Sequence, residues 1–226
     1  MNPGQHSIKN KLLTALSASD FASLAPHLAL VEIPRGEMMV FPGQAIKYAW
    51  FLEDGIASLV TASRGGHEAE AAIIGHEGMV DVATVLGALE TPLRCNMQIP
   101  GSAYRMPANA LAAAYQASAT LRSDLNLFAF SLVTQIAQTA LSNASFSIEE
   151  RLARWLLMCS DRLAGEDIAM THEFLSLMLN VRRAGVTLAI QSLQGAGFVQ
   201  SRRGLIRIVD RAGLAEFAGD AYTGTT

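Results

Sequence analysis

The chain has 226 residues, of which 50% are hydrophobic and 16% charged, with a formal net charge of -3. That balance supports a buried core and excludes a disordered or low-complexity chain; the length suits two domains. The opening stretch, MNPGQHSIKNKLLTALSASDF, turns polar where a secretory leader needs a continuous apolar run, and no later run reaches the ~18 apolar residues of a membrane span. A soluble, cytoplasmic protein with no membrane partner is expected. Cys95 and Cys159 lie far apart and lack a C-x-x-C spacing. They are expected to be small buried hydrophobes rather than a disulfide, a zinc site or iron-sulfur ligands.

Glycines at 36, 43, 55, 65, 66, 75, 78, 87 and 101 and prolines at 34, 42, 92, 100 and 107 punctuate the first half of the chain. Between them sit short apolar runs: Met38 to Phe41, Tyr48 to Leu52, Ile56 to Thr61 and Glu70 to Ile74. Such spacing predicts strands in an antiparallel sandwich or roll, with Gly65-Gly66 as a hairpin tip. The grammar then changes. No glycine occurs from Ser102 to Ala164 and no proline after Pro107, so helices are expected there.

Leu121, Leu125, Phe128, Leu132, Ile136 and Thr139 recur every three or four residues and predict one helix over about 118–142 with a mostly apolar stripe. The stripe can pack on its own β-domain, or form a parallel seam with the same helix of a second subunit. A break is expected at Asn143 to Ser147. Next comes IEERLARWLLMCSDRLAG, a helix that Ser147 can cap and Gly165 can end, burying Ile148, Leu152, Trp155, Leu156 and Cys159.

Residues 171–199, THEFLSLMLNVRRAGVTLAIQSLQGAGFV, read as a helix from Thr171, a short break at Asn180 to Val181 and a second helix ending at Gly195 or Gly197. Two short helices and a tight turn predict a helix-turn-helix. Val186, Ala189, Ile190 and Leu193 can pack on Leu175, Met178 and Leu179. The opposite face then carries Arg182, Arg183, Ala184, Thr187 and Leu188. An arginine near the helix start can bond the O6 and N7 of guanine, while alanine or leucine methyl groups can contact thymine. Phe198 to Gln200 and Leu205 to Val209 flank SRRG and predict a β-hairpin wing whose tip presents Arg202 and Arg203 to phosphate. From Arg182 to Arg211 six arginines, including Arg207 and Arg211, face one acid, Asp210. A basic stretch in an acidic chain suggests a polyanionic partner, although a solvated charged face has the same composition.

Over nearly its whole length the chain resembles the Crp/Fnr superfamily of bacterial transcription regulators, typified by the cyclic AMP receptor protein. The parts occur in that order: a glycine-punctuated β-roll, a long helix, the pattern IEERLARWLL, and LMLNVRRAGVTLAIQSLQGAGFV leading into a wing. The resemblance implies an α+β fold with an N-terminal β-roll, a jelly roll like the cyclic nucleotide-binding domain, over 1–116. It also implies a dimerisation helix over 117–145, seamed by Leu121, Leu125, Phe128, Leu132 and Ile136, and a winged helix-turn-helix over 146–226. The implied partners are double-stranded DNA, a second copy of the chain and RNA polymerase, with the β-roll sensing an unidentified small-molecule effector or none.

The departures are specific. Where the family's recognition helix looks like arginine, acid and a second arginine, this chain has Arg183, Ala184 and Leu188, so only the first is retained. The family's cyclic nucleotide pocket looks like a glycine-glutamate pair followed by arginine-serine. GMVDVATVLGALETPLRCN lacks both pairs; Asp81 and Arg94 are the nearest candidates for effector binding, and cyclic AMP is not expected to bind. His27, His67 and His76 are scattered and predict no haem, and no cofactor is expected. His172-Glu173 and His76-Glu77 lack the second histidine of a metalloprotease motif, GAGFVQ at 195–200 lacks the third glycine of a dinucleotide loop, and no G-x-S-x-G occurs, so no enzyme is expected. The competing reading is a ligand-binding or protein-interaction module whose winged helix meets protein instead of DNA.

Overall fold

Short apolar segments bounded by glycine and proline pair as antiparallel strands, and the glycine-free stretch after them is helical. This is the arrangement in the computed structural model of the chain, which describes residues 3–163, 165 and 167–224. Two small helices come first, α1 (Lys11–Ala15) and α2 (Ala18–Leu24). The strands follow: β1 (Ala29–Ile33), β2 (Met38–Val40), β3 (Tyr48–Leu52), β4 (Ile56–Ala62), β5 (Glu68–Ile74), β6 (Met79–Val80), β7 (Arg94–Ile99) and β8 (Gly101–Pro107). They form two four-stranded sheets in the orders β1-β8-β3-β6 and β2-β7-β4-β5. The helical part contains α3 (Ala108–Ala117), α4 (Ala119–Ser145) and α5 (Ile148–Ser160). After them come β9 (Asp167–Ala169), α6 (His172–Met178), α7 (Arg183–Gly195), β10 (Val199–Arg202), β11 (Leu205–Ile208) and α8 (Arg211–Ala218). Among the described residues no helix is long and apolar enough to cross a membrane.

By contact density the chain divides into Met1–Val60 with Ile73–Thr134, and Thr61–Ala72 with Gln135–Thr226. The division falls inside α4 rather than at its start or end, and the hairpin tip groups with the C-terminal residues. In the first unit Phe51, Leu52, Ile56, Met79, Met97 and Met106 from the strands are fully buried with Leu13, Leu24 and Leu111 from the helices. Two polar residues close this core. Asn10 is buried; its amide donates to the carbonyls of Leu52 and Gly78, both at 2.8 Å, and its side-chain oxygen caps α1 by accepting from Leu13 at 3.0 Å. Asp20 accepts from the hydroxyls of Ser17 (2.7 Å), Ser118 (2.5 Å) and Thr120 (2.5 Å), tying α2 to the first turn of α4.

Several boundaries differ from those expected. The long helix runs on to Ser145, so the break is confined to Phe146 and Ser147. Ser147 caps α5 as expected, in a reciprocal pair: its hydroxyl accepts from the Glu150 amide and its own amide donates to Glu150 at 2.7 Å. Gly165 does not end that helix, which stops at Ser160 because Asp161 is already its C-cap. Cys95 and Cys159 are free and buried, as their spacing predicts.

The apolar stripe on α4 is covered by its own chain. Leu121, Leu125 and Leu132 are buried, Phe128 and Ile136 are half-buried, and the Phe128 ring lies so close over Gly78 that a Cβ there would overlap it. The first three therefore have no surface left for the seam expected of them. A second stripe, Leu127, Phe130, Val133 and Leu141, lies on other faces of the helix and is 50–71% exposed.

In the second unit α5 is the central helix, with Leu152, Leu156 and Cys159 fully buried against a core that includes Val186 and Leu193 of α7 and Leu214 of α8. Trp155 is buried too, and its Nε1 donates to the buried carboxylate of Glu70 at 2.8 Å. Glu70 also helps hold the charge of the buried Arg154 guanidinium, whose pKa burial lowers. That satisfies two groups that would otherwise be costly to bury.

Hydrogen bonds from three hydroxyls hold the Asp20 carboxyl below its ordinary pKa. The ionised form is thereby favoured in the folded state, so its contribution is present above the unfolded pKa of ~3.9 and is lost as pH falls through the lowered folded value. Asp20→Ala is expected to cost about 1–3 kcal/mol at pH 7. In urea titrations the gap between wild type and variant should shrink as the pH is lowered to ~3.

Candidate nucleic-acid interface

The helix-turn-helix is set by a single backbone reversal. Thr171 caps α6 by accepting from Phe174 at 3.2 Å, and α6 ends at Leu179, whose carbonyl accepts from the Arg151 guanidinium. Asn180 then adopts a left-handed conformation, φ 49°, which asparagine tolerates better than branched residues do. The chain turns at Val181 and enters α7 through Arg182. Val186, Ala189, Ile190 and Leu193 are buried, facing a core that holds Leu175, Met178 and Leu179, as the spacing predicts.

With that face turned inward, Arg182, Arg183, Ala184 and Leu188 are exposed. Arg183 is the first residue of α7, where unpaired amides add positive potential. Arg182 is differently placed: it lines an open groove of about 810 Å³ with His67, Glu68, Phe174 and Leu177. Thr187 is half-buried and its hydroxyl is already engaged, donating to the Arg183 carbonyl at 3.1 Å and lying 3.2 Å from His172 Nδ1. It serves the joint between the two helices. Gln191, exposed one turn beyond Leu188, completes the outward face; its three-residue spacing from Leu188 is the signal that marks it in the sequence.

The wing is a three-stranded sheet in the order β10-β11-β9. Arg202 pairs with Leu205 across the tip, and Gly204 supplies the positive φ of 75° that the two-residue turn requires. Arg202 and Arg203 are exposed at this tip. Arg207, counted in the basic stretch, is neutralised: it forms a two-pronged pair with Asp167 at 2.7 and 2.8 Å, from a strand the glycine pattern did not reveal. Arg211 is likewise held by Asp161 at 2.5 Å, and Tyr222 donates to the same carboxylate at 2.7 Å. Arg182, Arg183, Arg202 and Arg203 make no ion pair among the described residues. Of the six arginines from Arg182 to Arg211, the four outside ion pairs thus lie at the start of α7 and at the wing tip.

The two effector candidates lie in the first unit. Asp81 is buried with φ 79°, and its carboxylate accepts from the Thr84 hydroxyl at 2.5 Å; burial pushes its pKa up to about 6 against the Thr84 hydrogen bonds. Arg94 is half-buried on β7, opposite Val60. Among the described residues no group of three or more His, Cys, Asp or Glu could hold a metal ion.

Residues 150–217 match the family described as the Crp-like helix-turn-helix domain. That part of the chain is a helix-turn-helix of the Crp type, and the whole has the fold of Crp/Fnr transcription regulators. A regulator assigned to the Crp/Fnr family from Eubacterium rectale superposes with a TM-score of 0.72 at 16% identity, covering 93% of this chain and 98% of the other. FixK2 from Bradyrhizobium japonicum gives 0.72 at 16% identity, over 84% and 96%. A Crp/Fnr-family transcriptional regulator from Thermus thermophilus gives 0.68 at 20% identity, over 84% and 98%. No curated protein matches the chain by sequence.

The left-handed turn supplies its own test. Asn180→Gly should leave thermal stability unchanged or slightly higher, whereas Asn180→Val should cost about 1–2 kcal/mol, read as a fall in the melting temperature.

Proposed function

We propose that the chain is a sequence-specific DNA-binding transcription regulator that works as a homodimer and inserts α7 in the major groove. The observation that carries this reading is the presence of two arginine tips that form no ion pair among the described residues, Arg182-Arg183 and Arg202-Arg203, on one winged domain of an otherwise acidic protein. Arginine at a helix start suits a guanine edge, and arginine on a hairpin tip suits phosphate. The N-terminal β-roll is the part that would receive an effector. The departures at Asp81 and Arg94 speak against cyclic AMP in that role. Such a regulator is cytoplasmic and not an enzyme, and RNA polymerase is the partner it would address.

The second copy is proposed to pair through Leu127, Phe130 and Leu141 of α4 with the neighbouring Val133. These residues are exposed, and Leu127, Phe130, Thr134, Ala137 and Leu141 follow the alternating three-four spacing of a coiled-coil seam. A dimer fixes two recognition helices about 34 Å apart, one turn of DNA. Phe130→Asp should sediment as a folded monomer at micromolar concentration where the wild type is a dimer. A dimeric Phe130→Asp would place the seam elsewhere.

Gel shifts against random duplex at low salt test the DNA reading first, because phosphate-driven binding needs no particular sequence. Failure to bind would return the winged helix to a protein-contacting role. Arg183→Ala should cost roughly 1–3 kcal/mol on the selected site and relax preference at one base position per half-site. Arg202→Ala with Arg203→Ala should instead weaken selected and random DNA alike, and make the log-log salt dependence shallower by about one to two units per subunit.

A further inference from the structure

Base discrimination in the major groove needs either hydrogen-bonding groups or a methyl contact, and the first two turns of the outward face of α7 are short of the former. After Arg183 come Ala184, Thr187 and Leu188, and the exposed amide of Gln191 follows only one turn further on. Thr187 has its hydroxyl engaged by the Arg183 carbonyl and placed against His172, so it is not free to read a base. Leu188 is 64% exposed in the middle of this face, next to Ala184 and clear of the buried row of Val186, Ala189, Ile190 and Leu193. It is a large apolar side chain left mostly uncovered by its own chain, on a helix that begins with Arg183.

The geometry points to Leu188, with Ala184 beside it, as a reader of the thymine C5-methyl group. The inference rests on the DNA-binding reading above and extends it to the chemistry of the operator. Thymine alone among the four bases carries a methyl in the major groove, so an apolar pair there selects thymine without a hydrogen bond. Leu188 lies five residues beyond Arg183, about 7.5 Å along the helix axis. That is about two base steps at 3.4 Å each. Each half-site should therefore contain a guanine set by Arg183 and a thymine about two steps away set by Leu188.

The test begins with binding-site selection on the full-length protein and then replaces single bases in the selected duplex. Exchanging the specified thymine for deoxyuridine removes only the methyl. Wild-type affinity should fall about fourfold per half-site, the effect of one buried methyl group. Leu188→Ala should bind thymine and uracil duplexes almost equally and should lose the thymine, but not the guanine, in a repeated selection. Gln191→Ala, one turn further along, should keep the methyl sensitivity. Equal wild-type affinity for the two duplexes, or a Leu188→Ala selection that still returns the thymine at full strength, would overturn the inference while leaving DNA binding intact. Absence of wild-type binding even to random duplex at low salt would overturn both, and is distinguished by that measurement.

Discussion

The inward packing of α7 is the constraint on which the functional surface depends. A helix has one side-chain direction every 100° or so, and once Val186, Ala189, Ile190 and Leu193 are committed to the core, Arg183, Ala184 and Leu188 have nowhere to go but outward. That commitment depends in turn on α5, which packs against α7; the reciprocal Ser147 and Glu150 cap fixes where α5 starts, and its Leu152 and Leu156 are fully buried. The left-handed Asn180 sets the entry angle. Shifting any of these by one residue would rotate Arg183, Ala184 and Leu188 off the outward face.

Charge in this protein is organised by pairing rather than by quantity. The stretch from Arg182 to Arg211 is rich in arginine, yet two of its members are neutralised by acids outside that stretch, Asp167 and Asp161. Those pairs hold the wing sheet and the end of the domain in shape. The arginines of this stretch outside ion pairs sit at the start of α7 and at the wing tip, both exposed. The exposed Arg207–Asp167 pair contributes modestly to stability, while the Arg211–Asp161 pair has its carboxylate nearly buried; both narrow the positive surface.

The long helix illustrates a limit of periodicity. It has two apolar stripes, and for the one bearing Leu121 and Leu125 spacing alone leaves packing on its own chain and a seam with a second copy equally open. In the fold that stripe is used up by its own chain, with the Phe128 ring seated over Gly78. The exposed stripe at Leu127, Phe130 and Leu141 is the one with surface to offer.

Local sequence determined most of the strands, the long helix and the faces of the helix-turn-helix, but not the short strand β9 or the small helices α1 and α2. Glycine and proline mark the strands because they interrupt ladders and supply turns; the glycine-free, proline-free stretch is helical; and the three-four spacing around Asn180 identifies the helix-turn-helix, since each of these signals acts within a few residues. Tertiary structure decided what depends on residues distant in sequence. That Asp167 and Asp161 would quiet Arg207 and Arg211, that Thr187 would be tied to His172, and that Asp20 would bind Ser118 and Thr120 all require contacts across 15 to about 100 positions. Which stripe of a doubly apolar helix is buried belongs to the same class, because burial is decided by the partner surface and not by the spacing of the residues that meet it.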